Sequence, residues 1–402
     1  MQLSLDNIFK NYIQKDDIFQ NKELLLTKYR PENLPHREKE IKTLGSILAP
    51  SLRGEKPSNV FVYGKTGTGK TAVTQYVCSK LEEVAMNNGH EVRIIYLNCK
   101  MRKVADTEYR LLAKLARELG RDVPPTGLPT DQVYEIFFEA VEDKKRMVIL
   151  ILDEIDIMVE KTGDNFLYNL TRMNEDLENS KISIIGISNN LSFKENLDPR
   201  VRSSLSEEEM LFSPYNALQL QDILKSRAEK AFKPGVIAEG VIEKCAALAA
   251  QEHGDARRAL DLLRVAGEMC EREGSKRVEE RHVDMAESKI DMDRILEVVR
   301  TQPRQSQAVL WSILKLKENG GNEVQTGDIF SVYEKVCRNS GLAPLTQRRV
   351  SDLIAELDLL GIINARVISK GRYGRTRTIT LGVSEPILEK IKNTLVSEFY
   401  FE

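Results

Sequence analysis

Val60-Phe61-Val62-Tyr63 runs straight into Gly64-Lys65-Thr66-Gly67-Thr68-Gly69-Lys70-Thr71, and Ala72, Val73, Tyr76, Val77 and Leu81 follow at helical spacing. An apolar run, a glycine-rich turn and a helix in that order form a strand–loop–helix unit, and the turn matches G-x-x-x-x-G-K-T in full. Glycines let the backbone wrap closely around an anion, so that its N–H groups and the helix N-terminus face phosphate oxygens. Lys70 adds a positive charge for β- and γ-phosphates, and Thr71 offers a hydroxyl for Mg²⁺. Gly64 through Thr71, with Ala72 behind them, are therefore the expected cradle for ATP or ADP.

Working outward, apolar β-rich runs alternate with helical stretches between residues 58 and 212, with strands expected at 59–63, 92–98, 147–153, 182–188 and 209–212. This alternation predicts an α/β fold, a parallel sheet with helices on both faces. Val148-Ile149-Leu150-Ile151-Leu152 is apolar at every position, as a strand covered on both faces must be, and ends in Asp153-Glu154. With a P-loop upstream, Asp153 joins Thr71 as the expected Mg²⁺ pair, and Glu154 is placed to polarise a water for in-line attack on a γ-phosphate. Ile184-Ile185-Gly186-Ile187-Ser188-Asn189 ends a second buried strand, where Asn189 is positioned for the water or the γ-phosphate. Acids or amides closing a strand are common by themselves; the P-loop is what gives these their chemical reading.

The chain has 402 residues, too many for one ordinary domain, with 41% hydrophobic and 30% charged residues, which excludes a disordered class. A net charge of -2 supplies no global pull toward nucleic acid, so such affinity must come from local patches. Five scattered cysteines without a CxxC pair, and four histidines, argue against zinc and disulfides. No apolar run approaches a membrane span, so a soluble, cytoplasmic protein with no membrane partner is expected. Four segments are expected: an arm over residues 1–30 that must dock on something, an α/β base over 31–213, a helical domain over 214–295, and a C-terminal domain over 296–402. Gly254-Asp255 and Gly274 punctuate the helical domain, and residues 290–303 read as a connector. In the last domain Thr346 caps a helix whose buried stripe is Val350, Leu353, Ile354, Leu357 and Leu360. An Arg-rich stretch over 364–382 then reads as a β-hairpin. Arg348 and Arg349 point outward at that helix start, and Arg366, Lys370, Arg372, Arg375 and Arg377 surround Gly371-Arg372-Tyr373-Gly374 with no intervening acid.

Walker A, Walker B, strand-end Asn189, an Arg-bearing segment and Gly254-Asp255-Ala256-Arg257 come in the order of an AAA+ ATPase. The segment Leu26-Thr27-Lys28-Tyr29-Arg30-Pro31-Glu32-Asn33-Leu34-Pro35-His36-Arg37 and the helix with its basic hairpin resemble archaeal replication initiators of the origin-recognition and cell-division-cycle-6 type. The resemblance implies an AAA+ base, a helical lid and a winged helix, with Asn189 as sensor 1 and Arg257 as sensor 2. It adds His36, Arg37, Tyr215 and Arg227 to the nucleotide contacts. It implies DNA contacts from Arg348, Arg349, Lys370, Arg372, Tyr373 and Arg375, and from Arg102 and Lys103 after the second strand. The usual Ser-Arg-x-Gly finger is replaced by Arg202-Ser203-Ser204-Leu205, which leaves Arg202 or Arg200 as the substitute. Implied partners are duplex origin DNA, the replicative helicase and other initiator copies or paralogues, in the nucleoid. Two rivals stay open: a clamp-loader-like remodelling ATPase, and a DNA-binding transcription regulator whose nucleotide is structural.

Overall fold

Five runs that are apolar on one or both faces become five parallel strands: β1 Asn59–Gly64, β2 Val92–Asn98, β3 Met147–Asp153, β4 Lys181–Ser188 and β5 Glu207–Phe212, in the order β2-β3-β4-β1-β5. Each expected strand lies within two residues of an observed one. The computed structural model describes residues 17–31, 33–100, 107–124, 126–205, 207–318, 324–369, 375–383 and 385–399. The chain divides into two compact units, residues 1–283 and 284–402.

In the first unit the period of two sorts the strand side chains into two cores. Val60, Val62, Ile149, Ile151, Ile185 and Ile187 pack against α1 (Glu38–Leu48) and α2 (Lys70–Asn87). Phe61, Leu150, Leu152 and Ile184 face α3 (Glu108–Glu118), α4 (Thr130–Glu142), α5 (Ile155–Thr162), α6 (Asn165–Asp176) and α7 (Pro199–Leu205). Gly186 is a glycine for want of space: a Cβ there would stand 2.5 Å from the Phe61 ring. The registers Asp153↔Ile187 and Tyr63↔Ser188 bring the carboxyl ends of β3, β4 and β1 side by side. Open α/β sheets bind ligands at such strand ends.

The helical part consists of α8 (Ala217–Ala231), α9 (Val241–Gln251), α10 (Ala256–Glu273) and the start of α11 (Glu280–Thr301). Asn216 and Gln219 form a capping box for α8, Asp255 caps α10, and Gly274 ends α10 in the left-handed conformation. The stretch read as a connector, 290–303, is instead the second half of α11 as far as Thr301. Its mixed polarity hid the helical period.

The arm docks on this helical part. Gln20 N donates to Ala231 O (2.8 Å), Lys233 N donates to Ile18 O (3.0 Å), and Phe19 lies against Phe232 with centroids 4.6 Å apart. A 3₁₀ turn, Lys22–Leu25, follows, with Leu25 fully buried. Apolar arm positions Ile8, Phe9 and Ile13 lie outside the described residues.

The second unit holds α12 (Arg304–Glu318), β6 (Val324–Gln325), α13 (Thr326–Asn339), α14 (Gln347–Leu359), β7 (Ile363–Ser369), β8 (Arg375–Leu381) and α15 (Glu385–Phe399). β7 and β8 form the expected hairpin, joined by β6 in a sheet ordered β6-β8-β7. Sequence reading missed β6, two residues long, and α15. Thr346 caps α14, and Val350, Leu353, Ile354 and Leu357 are buried. Leu360, expected in the same stripe, is 43% exposed. The helix has ended there, and Gly361 turns the chain at φ 71°.

The arm's seat is testable at Gly267, where a Cβ would stand 2.5 Å from Phe19 Cζ. Gly267→Val is expected to release residues 17–25, raising hydrogen exchange at the Gln20 amide by about tenfold or more while amides of β3 keep their protection. Unchanged exchange at Gln20 would contradict the docking.

Candidate functional site

A cleft of about 960 Å³ opens at the strand ends, lined by the glycine loop from Thr66 to Ala72, by Asp153, Glu154 and Asn189, by arm residues between Leu26 and Pro35, and by Tyr215, Arg227 and Arg257. Lys70 lies at its centre and is only 6% exposed. Its ammonium donates to Gly64 O (2.7 Å), Lys65 O (2.7 Å) and Asn189 Oδ1 (2.8 Å). Three donors are thereby satisfied, which a buried charge requires. Burial lowers the Lys70 pKa to about 8, partly offset by the Asp153 carboxylate.

The loop's glycines are sterically forced. A Cβ on Gly64 would stand 2.6 Å from Phe212 O, one on Gly69 2.8 Å from the Tyr215 hydroxyl, and one on Gly67 1.6 Å from Asp255 Oδ1. Gly67 and Gly69 also have φ of 68° and 89°. Asp255 accepts from Arg257 N at 2.7 Å and Arg258 N at 3.3 Å, while Ala256 N donates to Gly67 O at 3.1 Å. The N-termini of α2 and α10 thus meet at one loop, an arrangement that favours an anion.

The acids stand beside it. Thr71 Oγ1 donates to Asp153 Oδ2 at 2.9 Å, and the Tyr96 hydroxyl donates to the same oxygen at 2.7 Å. Burial, then the Asp153 bond, raises the Tyr96 pKa, so the phenol remains a donor. Glu154 takes a left-handed backbone at φ 56°, ψ 47° at the start of α5, an uncommon conformation that costs about 1–3 kcal/mol and concentrates at functional positions. Its Oε2 lies 3.8 Å from Lys100 Nζ. Among the described residues no group of three or more His, Cys, Asp or Glu side chains could hold a metal. The donor set of one hydroxyl and one carboxylate fits Mg²⁺, which takes one or two carboxylates and completes its shell with phosphate and water.

Other expected site residues fall differently. Arg37, 4% exposed, donates through Nε to Thr68 O and the Tyr215 hydroxyl (3.0 Å each), through Nη1 to Glu40 (2.8 Å) and through Nη2 to Ser213 O (2.6 Å). It braces the loop from behind, outside the cleft lining. His36 Nε2 pairs with Asp222 at 2.9 Å and also lies outside that lining, as does Lys65, whose Nζ is 3.4 Å from His253 Nδ1. Arg227 lines the cleft and lies over the Tyr29 ring at 4.5 Å. Arg202 is exposed on α7, away from the cleft lining.

In the second unit Arg348 and Arg349 are exposed at the start of α14, where Arg349 lies 3.8 Å from Asp352 and 3.6 Å from Glu356. Arg377 Nη1 donates to Ser351 O at 2.7 Å, tying β8 to α14. Arg375 opens β8. Arg102, Lys103, Lys370, Arg372 and Tyr373 lie outside the described residues. Sequence reasoning missed Tyr96, Asn98 and the Asp255 contact with Gly67. The only signal for Tyr96 was a polar-tipped aromatic near the end of a strand.

Family models match along the chain: an AAA domain at residues 53–192, the Cdc6 AAA+ ATPase-type lid domain at 221–288 and the CDC6 C-terminal winged helix domain at 297–391. An ORC1-type DNA replication protein of Pyrococcus furiosus is 54% identical over 398 residues, covering 98% of this chain and 93% of that protein. ORC1-type DNA replication protein 1 of Archaeoglobus fulgidus is 54% identical over 384 residues, covering 96% and 93%. The solved structure of the Aeropyrum pernix ORC1 protein in complex with DNA is 47% identical, with a TM-score of 0.82, covering 96% of this chain and 99% of that one.

The lowered Lys70 pKa predicts how phosphate binding depends on pH. With a pKa near 8 the ammonium is the majority form at pH 7 and the neutral amine at pH 9. A bound phosphate favours the charged form, so binding takes up a proton in that window. ADP affinity measured by calorimetry is expected to be level below pH 7 and to fall by about tenfold per pH unit above pH 8, with Lys70→Arg showing no such fall. A wild-type profile as flat as that of the arginine variant would contradict this.

Proposed function

The chain belongs to the family of archaeal ORC1/Cdc6-type DNA replication proteins, AAA+ proteins with a C-terminal winged helix, and from that premise we propose that it is an ATP-controlled replication initiator. It binds duplex DNA at origins and promotes loading of the replicative helicase, with ATP binding and slow hydrolysis as the switch. The observation that carries the switch is the contact of Ala256 and Asp255 with Gly67, which ties the start of the lid helix to the phosphate loop. Whatever fills the cleft therefore biases the lid, provided it binds the two lid positions with different affinity.

In this reading the loop amides and Lys70 would hold the phosphates, and Thr71 and Asp153 would hold Mg²⁺, which when bound supplies neutralisation of phosphate charge. Glu154 accepts the proton of an attacking water, Asn189 orients that water, and Arg257 meets the γ-phosphate from the lid. Tyr29 and Arg227 close the cleft on the arm side. Arg202 stands as the candidate finger for a neighbouring initiator copy. The domains are an arm over 1–30, the base over 31–213, the lid over 214–295 and the winged helix over 296–402.

Duplex binding is supported by the Aeropyrum pernix relative, solved in complex with DNA. Arg348 and Arg349 at the start of α14, and Arg375 with Lys370, Arg372 and Tyr373 in the hairpin, are the proposed contacts, with Arg102 and Lys103 on the base. A recognition helix enters the major groove while a basic wing meets phosphates or the minor groove. No helix among the described residues is long and apolar enough to cross a membrane, in keeping with a cytoplasmic, nucleoid-associated protein. A clamp-loader-like ATPase has no use for such a winged helix, and a transcription regulator has none for a strained Glu154 at the cleft.

Footprinting on genomic duplex from the source organism tests the proposal. Wild type is expected to protect preferred sites, and Arg348→Ala to weaken protection by about 1–3 kcal/mol and relax specificity. Absence of any preferred site, or protection indifferent to Arg348, would overturn it.

A further inference from the structure

Asp153 accepts two hydroxyl donors on a single oxygen. Thr71 Oγ1 reaches Oδ2 at 2.9 Å from the first turn of α2, and the Tyr96 phenol reaches the same Oδ2 at 2.7 Å from β2. The two donors arrive from different elements, so together they fix the rotation of the carboxylate plane, which one bond alone leaves free. The support behind Tyr96 is rigid. β2 pairs with β3 in the register Tyr96↔Ile151 and Asn98↔Asp153, and Cys99 N donates to Asp153 O at 2.8 Å. Both the Asp153 backbone and the phenol are thus carried by one pair of strands. Tyr96 also lines the cleft. When Thr71 gives its proton to Asp153, the threonine oxygen keeps its lone pairs for a cation. That division of labour persists only while the carboxylate stays turned toward Thr71.

We propose that Tyr96 is a positioning residue for the divalent cation: its hydroxyl locks Asp153 in the orientation that leaves Thr71 and the free carboxylate oxygen available to Mg²⁺. The inference rests on the nucleotide reading of the cleft and deepens it. Groups that orient metal ligands change metal affinity by about 10–100-fold when removed. Tyr96 is therefore the residue that couples Mg²⁺ to nucleotide, while Lys70 and the loop amides bind the phosphates without its help.

The coupling is measurable without catalysis. Binding of a fluorescent ADP derivative to the full chain is titrated in EDTA and in saturating Mg²⁺, and the ratio of the two Kd values gives the coupling factor. For Tyr96→Phe, which removes one oxygen and keeps the ring, the Kd in EDTA is expected to match wild type within about twofold, and the coupling factor to fall by about tenfold. Half-saturation by Mg²⁺ shifts upward by the same factor. Equal coupling in wild type and Tyr96→Phe would overturn the proposal, and so would a loss of affinity in EDTA, which would make Tyr96 a nucleotide contact or a structural prop. If wild type fails to bind the ADP derivative in either condition, the nucleotide reading itself falls.

Discussion

A buried ammonium organises this molecule. Lys70 sits at the start of a helix inside a protein core, where an unpaired charge is prohibitively unfavourable, and it satisfies all three N–H bonds with the carbonyls of Gly64 and Lys65 and the amide of Asn189. Those acceptors come from the ends of β1 and β4, so they converge only because the two strands are neighbours in register. The same register puts Asp153 of β3 next in line. The ammonium thus bridges the ends of the sheet's neighbouring strands β1 and β4, and the glycines around it leave no room for any side chain.

The loop is held at its back and at its junction with the helical part. Arg37 grips Thr68 O and the Tyr215 hydroxyl from behind, and Asp255 and Ala256 press on Gly67 from the helical part. The arm completes the circuit: residues 18–25 are seated on the helical part, and residues 26–31 and 33–35 line the cleft on the way to α1. Base and helical part are therefore joined both at the loop and through the arm. Both joints border the same cavity.

The sheet was legible because its interior strands are apolar on both faces over most of their length, a pattern that a sheet covered on both faces requires. The loop was legible because glycine spacing, lysine and threonine are all demanded by one geometry. The hairpin and α14 were readable from alternation and from the Thr346 cap. What sequence could not supply was direction. Arg37 and Arg377 look like cations offered to a ligand, yet Arg37 donates to Thr68 O, Ser213 O, the Tyr215 hydroxyl and Glu40, and Arg377 donates to Ser351 O. Tyr96 looks like an ordinary strand residue, yet its hydroxyl donates to Asp153 at the cleft. Leu360 continues a stripe by spacing, but the helix stops before it, and α11 runs on where low amphipathicity suggested a break. Arg37, Arg377 and Tyr96 were missed because their partners are far away in sequence, where pairing is set by packing; the other two concern only where a helix ends.

The central claim is that the cleft is the control input of an origin-binding protein. Mapping the chromosomal sites occupied by this chain in growing cells, alongside replication origins located by marker frequency in the same cultures, tests it most directly. A small number of strong sites coinciding with origins is expected. Occupancy spread over promoters, with no enrichment at any origin, would contradict it.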